Sequence, residues 1–141
     1  MSQFDWDEAR HGLGVEAMDG VHREFLALAR ALEDCPSSLF AERLAELAHH
    51  TEAHFAAEEA SMRRTNCPTL SEHVAEHGRL LADLRRFSTA VQRGRPAMAR
   101  AFLEDGLAAW FANHLATMDA ALAAHLKTRQ GGAEADRGED D

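Results

Sequence analysis

Residues 54–77 read HFAAEEASMRRTNCPTLSEHVAEH. Asn66-Cys67-Pro68 cuts this stretch in two, because proline lacks the N–H a helix needs and asparagine favours turns. On each side of the cut, two polar residues sit four apart: His54 with Glu58, then His73 with His77. Residues four apart share one face of a helix, about 6 Å apart at Cβ. The same faces carry the apolar stripe. Before the turn it runs Phe40, Leu44, Leu47, Thr51, His54, Glu58, Met62, and after it Leu70, Val74, His77, Leu81, Leu84. Steps of three and four predict helices over 39–65 and 70–92.

The pattern extends in both directions. Upstream, Asp19 is an N-cap candidate for a helix through Phe25, Ala29 and Leu32 that ends before Pro36. Downstream, Pro96 is placed to open a fourth helix over 96–127, with Leu103, Leu107, Trp110, His114, Met118 and Leu122 on its stripe. Gly12 and Gly14 make residues 1–18 irregular. No alternating run signals a strand. The reading is an all-α, antiparallel up-down-up-down four-helix bundle. It forms one domain over residues 1–128, followed by a disordered acidic tail over 129–141.

Composition narrows the function. The chain has 141 residues, 15 basic and 24 acidic, for a net charge of −9. That balance excludes a nucleic-acid binder held by phosphate contacts and a polybasic membrane-surface protein. No apolar run is long enough to span a bilayer, and the N-terminus lacks a secretory leader pattern, so the expected location is the cytoplasm. Cys35 and Cys67 fall after successive helices, at opposite ends of a bundle and out of disulfide reach. The outward seams are not markedly apolar, which points to a monomer. The chain holds nine His and no Tyr.

The histidines decide the chemistry. Each of the four helices carries at least one in its stripe: His22, His54, His73 with His77, and His114. Glu58 and Asp119 lie beside them. Buried carboxylates repel unless something positive lies between them, and bound metal cations are the simplest resolution. With no thiolate in the set, a structural zinc site does not fit, and calcium or magnesium would prefer oxygen. Mixed imidazole and carboxylate ligands suit iron or manganese. Five imidazoles, two bridging carboxylates and one bridging oxygen fill about eleven of the twelve positions of two octahedral metals. One position stays open for a small ligand. His114 and Asp119 are five apart, about 140° around an ideal α-helix, so they converge only through long side chains or a local bulge.

The series His22, His54-x3-Glu58, His73-x3-His77, His114-x4-Asp119 resembles the signature of the hemerythrin family, in its bacterial single-domain form. The flanking Trp6, Leu13-Gly14-Val15, Met18-Asp19, Glu58-Glu59 and Trp110-x2-Asn113-His114 fit as well. The resemblance implies a non-haem di-iron centre, oxo- or hydroxo-bridged. One iron would take His73, His77 and His114, the other His22 and His54, with Glu58 and Asp119 bridging. It implies reversible O2 binding at the open position of the two-histidine iron, for storage, delivery or sensing. Phe25, Met62, Trp110 and Phe111 would line the O2 pocket, and a reductase or an O2-consuming enzyme would be the partner. The competing functions are a di-iron redox enzyme acting on peroxide or nitric oxide, and iron handling. His50, four residues before His54, is an outer or surface residue on this reading. His11, His49 and His125 are solvated or locally hydrogen-bonded.

Overall fold

The computed structural model describes residues 2–139, with side chains through residue 129. Every regular element among them is helical. A short helix, α1 (Glu8–His11), is capped by Asp7, whose carboxylate accepts from the Ala9 N–H at 3.1 Å. There follow α2 (Glu16–Glu33), α3 (Ser37–Arg64) and α4 (Leu70–Gln92). Then come α5 (Ala97–Asp105), α6 (Leu107–His114), a π-helical turn (Leu115–Asp119) and α7 (Ala120–Glu139). Composition predicts a disordered acidic tail over 129–141, whereas the backbone continues as α7 through Glu139; residues 140–141 and the side chains of residues 130–139 lie outside the described residues.

The connections follow from backbone chemistry. Gly14 and Gly94 take φ of +75° and +80°, and Asn66 takes +53°. Only glycine enters this left-handed region freely, with asparagine next. Pro36 stands immediately before α3, and Pro96 immediately before α5.

Three expectations from sequence need correction. Residues 1–18 are not irregular throughout, because α1 occupies Glu8–His11 and α2 begins at Glu16. Asp19 does not cap α2, which starts three residues earlier, after Val15. The Asp19 N–H is already spent inside the helix on the Val15 carbonyl at 2.9 Å. Its buried carboxylate instead accepts from the Leu13 N–H at 2.9 Å and ties the incoming loop to α2. Asp19→Ala orphans that N–H, so thermal or denaturant unfolding should show a loss of about 1–3 kcal/mol. The fourth helix is not continuous either. It is interrupted at Gly106, where a Cβ would meet Phe102 Cδ1 at 2.8 Å, and again by the π-helical turn.

The core is divided along the helices. One apolar cluster includes Leu26, Ala29 and Leu32 of α2, Phe40, Leu44 and Leu47 of α3, and Leu80, Leu84 and Phe87 of α4. Leu103 and Leu107 close it from α5 and α6. A second holds Met18, Met62, Cys67, Leu122 and Ala123. In sequence, His22, Glu58, His73, His77 and Asp119 each fall between the two clusters on their own helical stretch. Both cysteines are free. Among the described residues, no helix is long and apolar enough to cross a membrane.

Candidate metal centre

The polar residues of the stripe meet in the middle of the protein. His22 comes from α2, His54 and Glu58 from α3, His73 and His77 from α4, His114 from the end of α6, and Asp119 from the end of the π-helical turn. Six of the seven are buried, His73 completely, and His54 is nearly so.

Two groups of donor atoms form. Single atoms of Glu58, His73, His77 and His114 lie within 4.8 Å of one another, as do those of His22, His54 and Glu58. Glu58 belongs to both. Its Oε1 lies 2.7 Å from His73 Nε2 and 3.3 Å from His77 Nε2, while Oε2 lies 2.9 Å from His54 Nε2. Asp119 does the same. Its Oδ1 lies 3.2 Å from His73 Nε2 and 3.3 Å from His114 Nε2, and Oδ2 lies 3.2 Å from His22 Nε2. Each carboxylate thus turns one oxygen to each histidine group.

The π-helical turn answers the spacing question. On an α-helix His114 and Asp119 would point about 140° apart. The wider turn brings their polar atoms to 3.3 Å. Such single turns recur at functional sites.

Several of these contacts have hydrogen-bond length without hydrogen-bond geometry. Glu58 Oε1, Asp119 Oδ1 and the Nε2 atoms of His22, His73, His77 and His114 are buried and make no hydrogen bond. Buried polar atoms without partners are costly, so native proteins satisfy them. Nitrogen lone pairs and carboxylate oxygens that converge on a common centre, instead of on each other, fit metal cations. A donor set of imidazoles and carboxylates suits first-row transition metals.

The electrostatics agree. Burial pushes the Glu58 carboxyl up, but the imidazoles of His54, His73 and His77 that face it outweigh this and hold the group well below the usual carboxylate range. Asp119 is likewise raised by burial and lowered further by His114, His22 and His73. Burial lowers His73, yet Asp119 and Glu58 together raise it to about 9. His114 also rises, against its burial, because Asp119 and Glu76 face it. Without a metal, protons supply the positive charge this site requires.

Aromatic rings hold the imidazoles. Phe55 stacks on His77 with centroids 3.7 Å apart, and Trp110 stacks on His114 at 4.7 Å. Phe25 and Phe111 stack at 5.3 Å, and Phe111 meets His22 edge-on. Between these rings and His22, His54 and His114 lies a cavity of about 20 Å³. That is room for about one water-sized molecule. Asp119, Thr51 and Phe55 also line it, and Thr51 and Phe55 were not singled out in the sequence as pocket residues. Met62 does not line it. It lies one turn beyond Glu58, and it packs with Met18, Cys67 and Leu122.

Other residues lie around the centre. Glu59 Oε2 is 3.0 Å from His77 Nδ1, and Glu76 Oε1 is 3.0 Å from His114 Nδ1. A groove of about 390 Å³ with walls from Val15, Met18, Val21, Ala53 and Leu122 reaches His54 and Glu58. His50 lines that groove, with Nδ1 3.8 Å from Glu24 Oε2, and does not join the donor groups. His11 is buried against Trp6 and Phe111, and its Nδ1 accepts from the Asp7 N–H at 2.9 Å. His125 contacts the Thr65 carbonyl at 3.0 Å, and His49 is exposed.

The chain matches the family described as Hemerythrin HHE cation binding domain over residues 13–126. It is 35% identical to Bacteriohemerythrin of Ralstonia nicotianae over 92% of this chain and 93% of the relative. It is 29% identical to Myohemerythrin of Riftia pachyptila over 84% of this chain and 89% of the relative. No solved structure matches it significantly.

Proposed function

The chain belongs to the hemerythrin family, and from that premise we propose that it binds O2 reversibly at a non-haem di-iron centre. His73, His77 and His114 would hold one iron, and His22 and His54 the other. Glu58 and Asp119 would serve both irons, with an oxo or hydroxo group as a further ligand. The observation that carries this reading is the divided aim of the two carboxylates, one oxygen toward each histidine group at 2.7–3.3 Å. A single metal would leave half of those oxygens unused.

When bound, the two irons supply the electrons that O2 takes up and gives back. The protein's part is shape and polarity. The cavity beside His22 and His54 admits a molecule of about the size of O2, and its Phe25, Phe111 and Trp110 walls keep bulk water out. The buried carboxylates and imidazoles fix the ligand positions in advance. Phe111→Ala opens this wall. It should shorten the life of the oxygenated form and cost about 3–5 kcal/mol of stability, read from decay of the visible band and from unfolding. An unchanged autoxidation rate would count against a shielding role.

The primary test is visible absorption of the iron-loaded, reduced protein. A band that rises in air and fades under vacuum supports a reversible carrier. Direct passage to an oxidised form with no such band contradicts it. The second reading, a redox enzyme acting on peroxide or nitric oxide, draws on the 390 Å³ groove that reaches His54 and Glu58. Sustained peroxide consumption with a reductant, far above that of free iron, would favour it. Rapid metal exchange with a mild chelator would instead favour iron handling.

We also infer that the four helical stretches alternate in direction within one domain over residues 1–128. The order in which each stretch meets the two apolar clusters supports this. In α2 and α4 the Met18–Cys67 cluster or its neighbour Leu70 comes first, and in α3 and the α5–α7 stretch it comes last. A monomeric, cytoplasmic protein served by a reductase or an O2-consuming enzyme completes the proposal.

A further inference from the structure

The two halves of the centre differ in what supports them. In the His73–His77–His114 half, two imidazoles meet a carboxylate through Nδ1: His77 with Glu59 and His114 with Glu76, each at 3.0 Å. An Nδ1–H bound to a carboxylate fixes the tautomer, leaves the Nε2 lone pair free, and raises its basicity. Among the described residues, neither histidine of the other half has such a partner. Both nitrogens of His22 are without hydrogen bonds. His54 Nε2 is bonded to Glu58 at 2.9 Å, a bond that a metal must displace.

Access differs in the same direction. The 390 Å³ groove runs to His54 and Glu58. His73 and His77 are 0% and 1% exposed and lie outside its lining.

We propose that Glu59 and Glu76 are positioning residues that make the centre asymmetric. The three-histidine half fills first and holds its metal longer, and the two-histidine half fills last and empties first, through the groove. This rests on the two-metal reading above and goes beyond it. It assigns roles to two carboxylates that are not ligands, and it implies a stable one-metal form of the chain.

The test is release of metal from the full chain, loaded with ferrous iron under anaerobic conditions and mixed with excess chromogenic ferrous chelator. The wild type should lose iron in two phases of equal amplitude, with rates at least about tenfold apart. Glu59→Ala and Glu76→Ala should each speed the slow phase by about 10- to 100-fold and leave the fast phase unchanged. Glu59→Gln and Glu76→Gln keep a neutral acceptor, so they should accelerate the slow phase less, and they serve if an alanine variant fails to fold. A merely structural role would speed both phases together, which would overturn the assignment. A single phase for both irons in the wild type would overturn the asymmetry and leave the di-iron reading standing. Fewer than two irons per chain at the start would overturn that reading itself.

Discussion

Glu58→Ala should lower metal content from two per chain to one or none. Glu58 is common to both donor groups. Its removal takes an oxygen from each group and leaves His54, His73 and His77 without their shared anion. Loss of an outer hydrogen bond to a metal ligand typically costs about 10–100-fold in affinity, and loss of a bridging ligand should exceed that range. The metal-free variant should still fold, because both apolar clusters lie outside the change. Metal analysis after loading and desalting is the readout, with circular dichroism as the check on folding. Retention of two tightly held metals by Glu58→Ala would show that the centre is not built around this carboxylate.

The stability of the metal-free chain should fall as pH rises from 6.5 to 9, and that of the loaded chain should not. His73 carries the argument. Its pKa rises to about 9 in the fold, although burial opposes the change, because Asp119 and Glu58 face its ring. A raised pKa stabilises the fold fully below the unfolded value of 6.5, and the contribution is lost as pH climbs through about 9. A shift of this size is worth on the order of 3 kcal/mol. Glu58 and Asp119 are depressed, so their contribution is present above the ordinary carboxylate range and is lost on acidification. The metal-free chain should therefore be most stable between about pH 5 and 6.5. Metal replaces the proton on Nε2, so loading should release protons and remove the alkaline decline. Thermal unfolding of both forms at pH 6, 7.5 and 9 reads this directly. Parallel curves for the two forms would mean that protons and metal do not compete at this site.

Much of this was legible in the sequence, and the parts that were not share physical causes. Helix α4 begins and ends where its apolar spacing predicts, because Pro68 and the Arg93-Gly94 turn bound it sharply. All seven donor residues stand out as polar groups on apolar stripes, and the fold brings them together. The π-helical turn leaves no mark in a pattern of threes and fours, so only the mismatch between His114 and Asp119 signals it. Asp19 follows the Gly-rich segment as a cap should, yet the helix has already begun at Glu16, and its carboxylate serves the Leu13 N–H instead.

Met62, Thr51 and Phe55 show a subtler limit. Helical spacing tells which residues share a face. It does not tell on which side of the buried His and carboxylate layer each one falls. Met62 is one turn past Glu58 and so joins the Met18–Leu122 cluster, while Thr51 and Phe55 flank His54 and reach the cavity. Glu59 and Glu76 each directly neighbour a donor residue in sequence, Glu58 and His77. A carboxylate beside a metal ligand is a usable signal, but its partner ring lies on another helix.

The most direct measurement of the central claim is O2 uptake by the iron-loaded, reduced protein, taken with its iron content. The account predicts two irons per chain, one O2 bound per pair of irons, and recovery of that O2 under vacuum. Two irons per chain with O2 consumed and not returned, or one iron per chain, would contradict it.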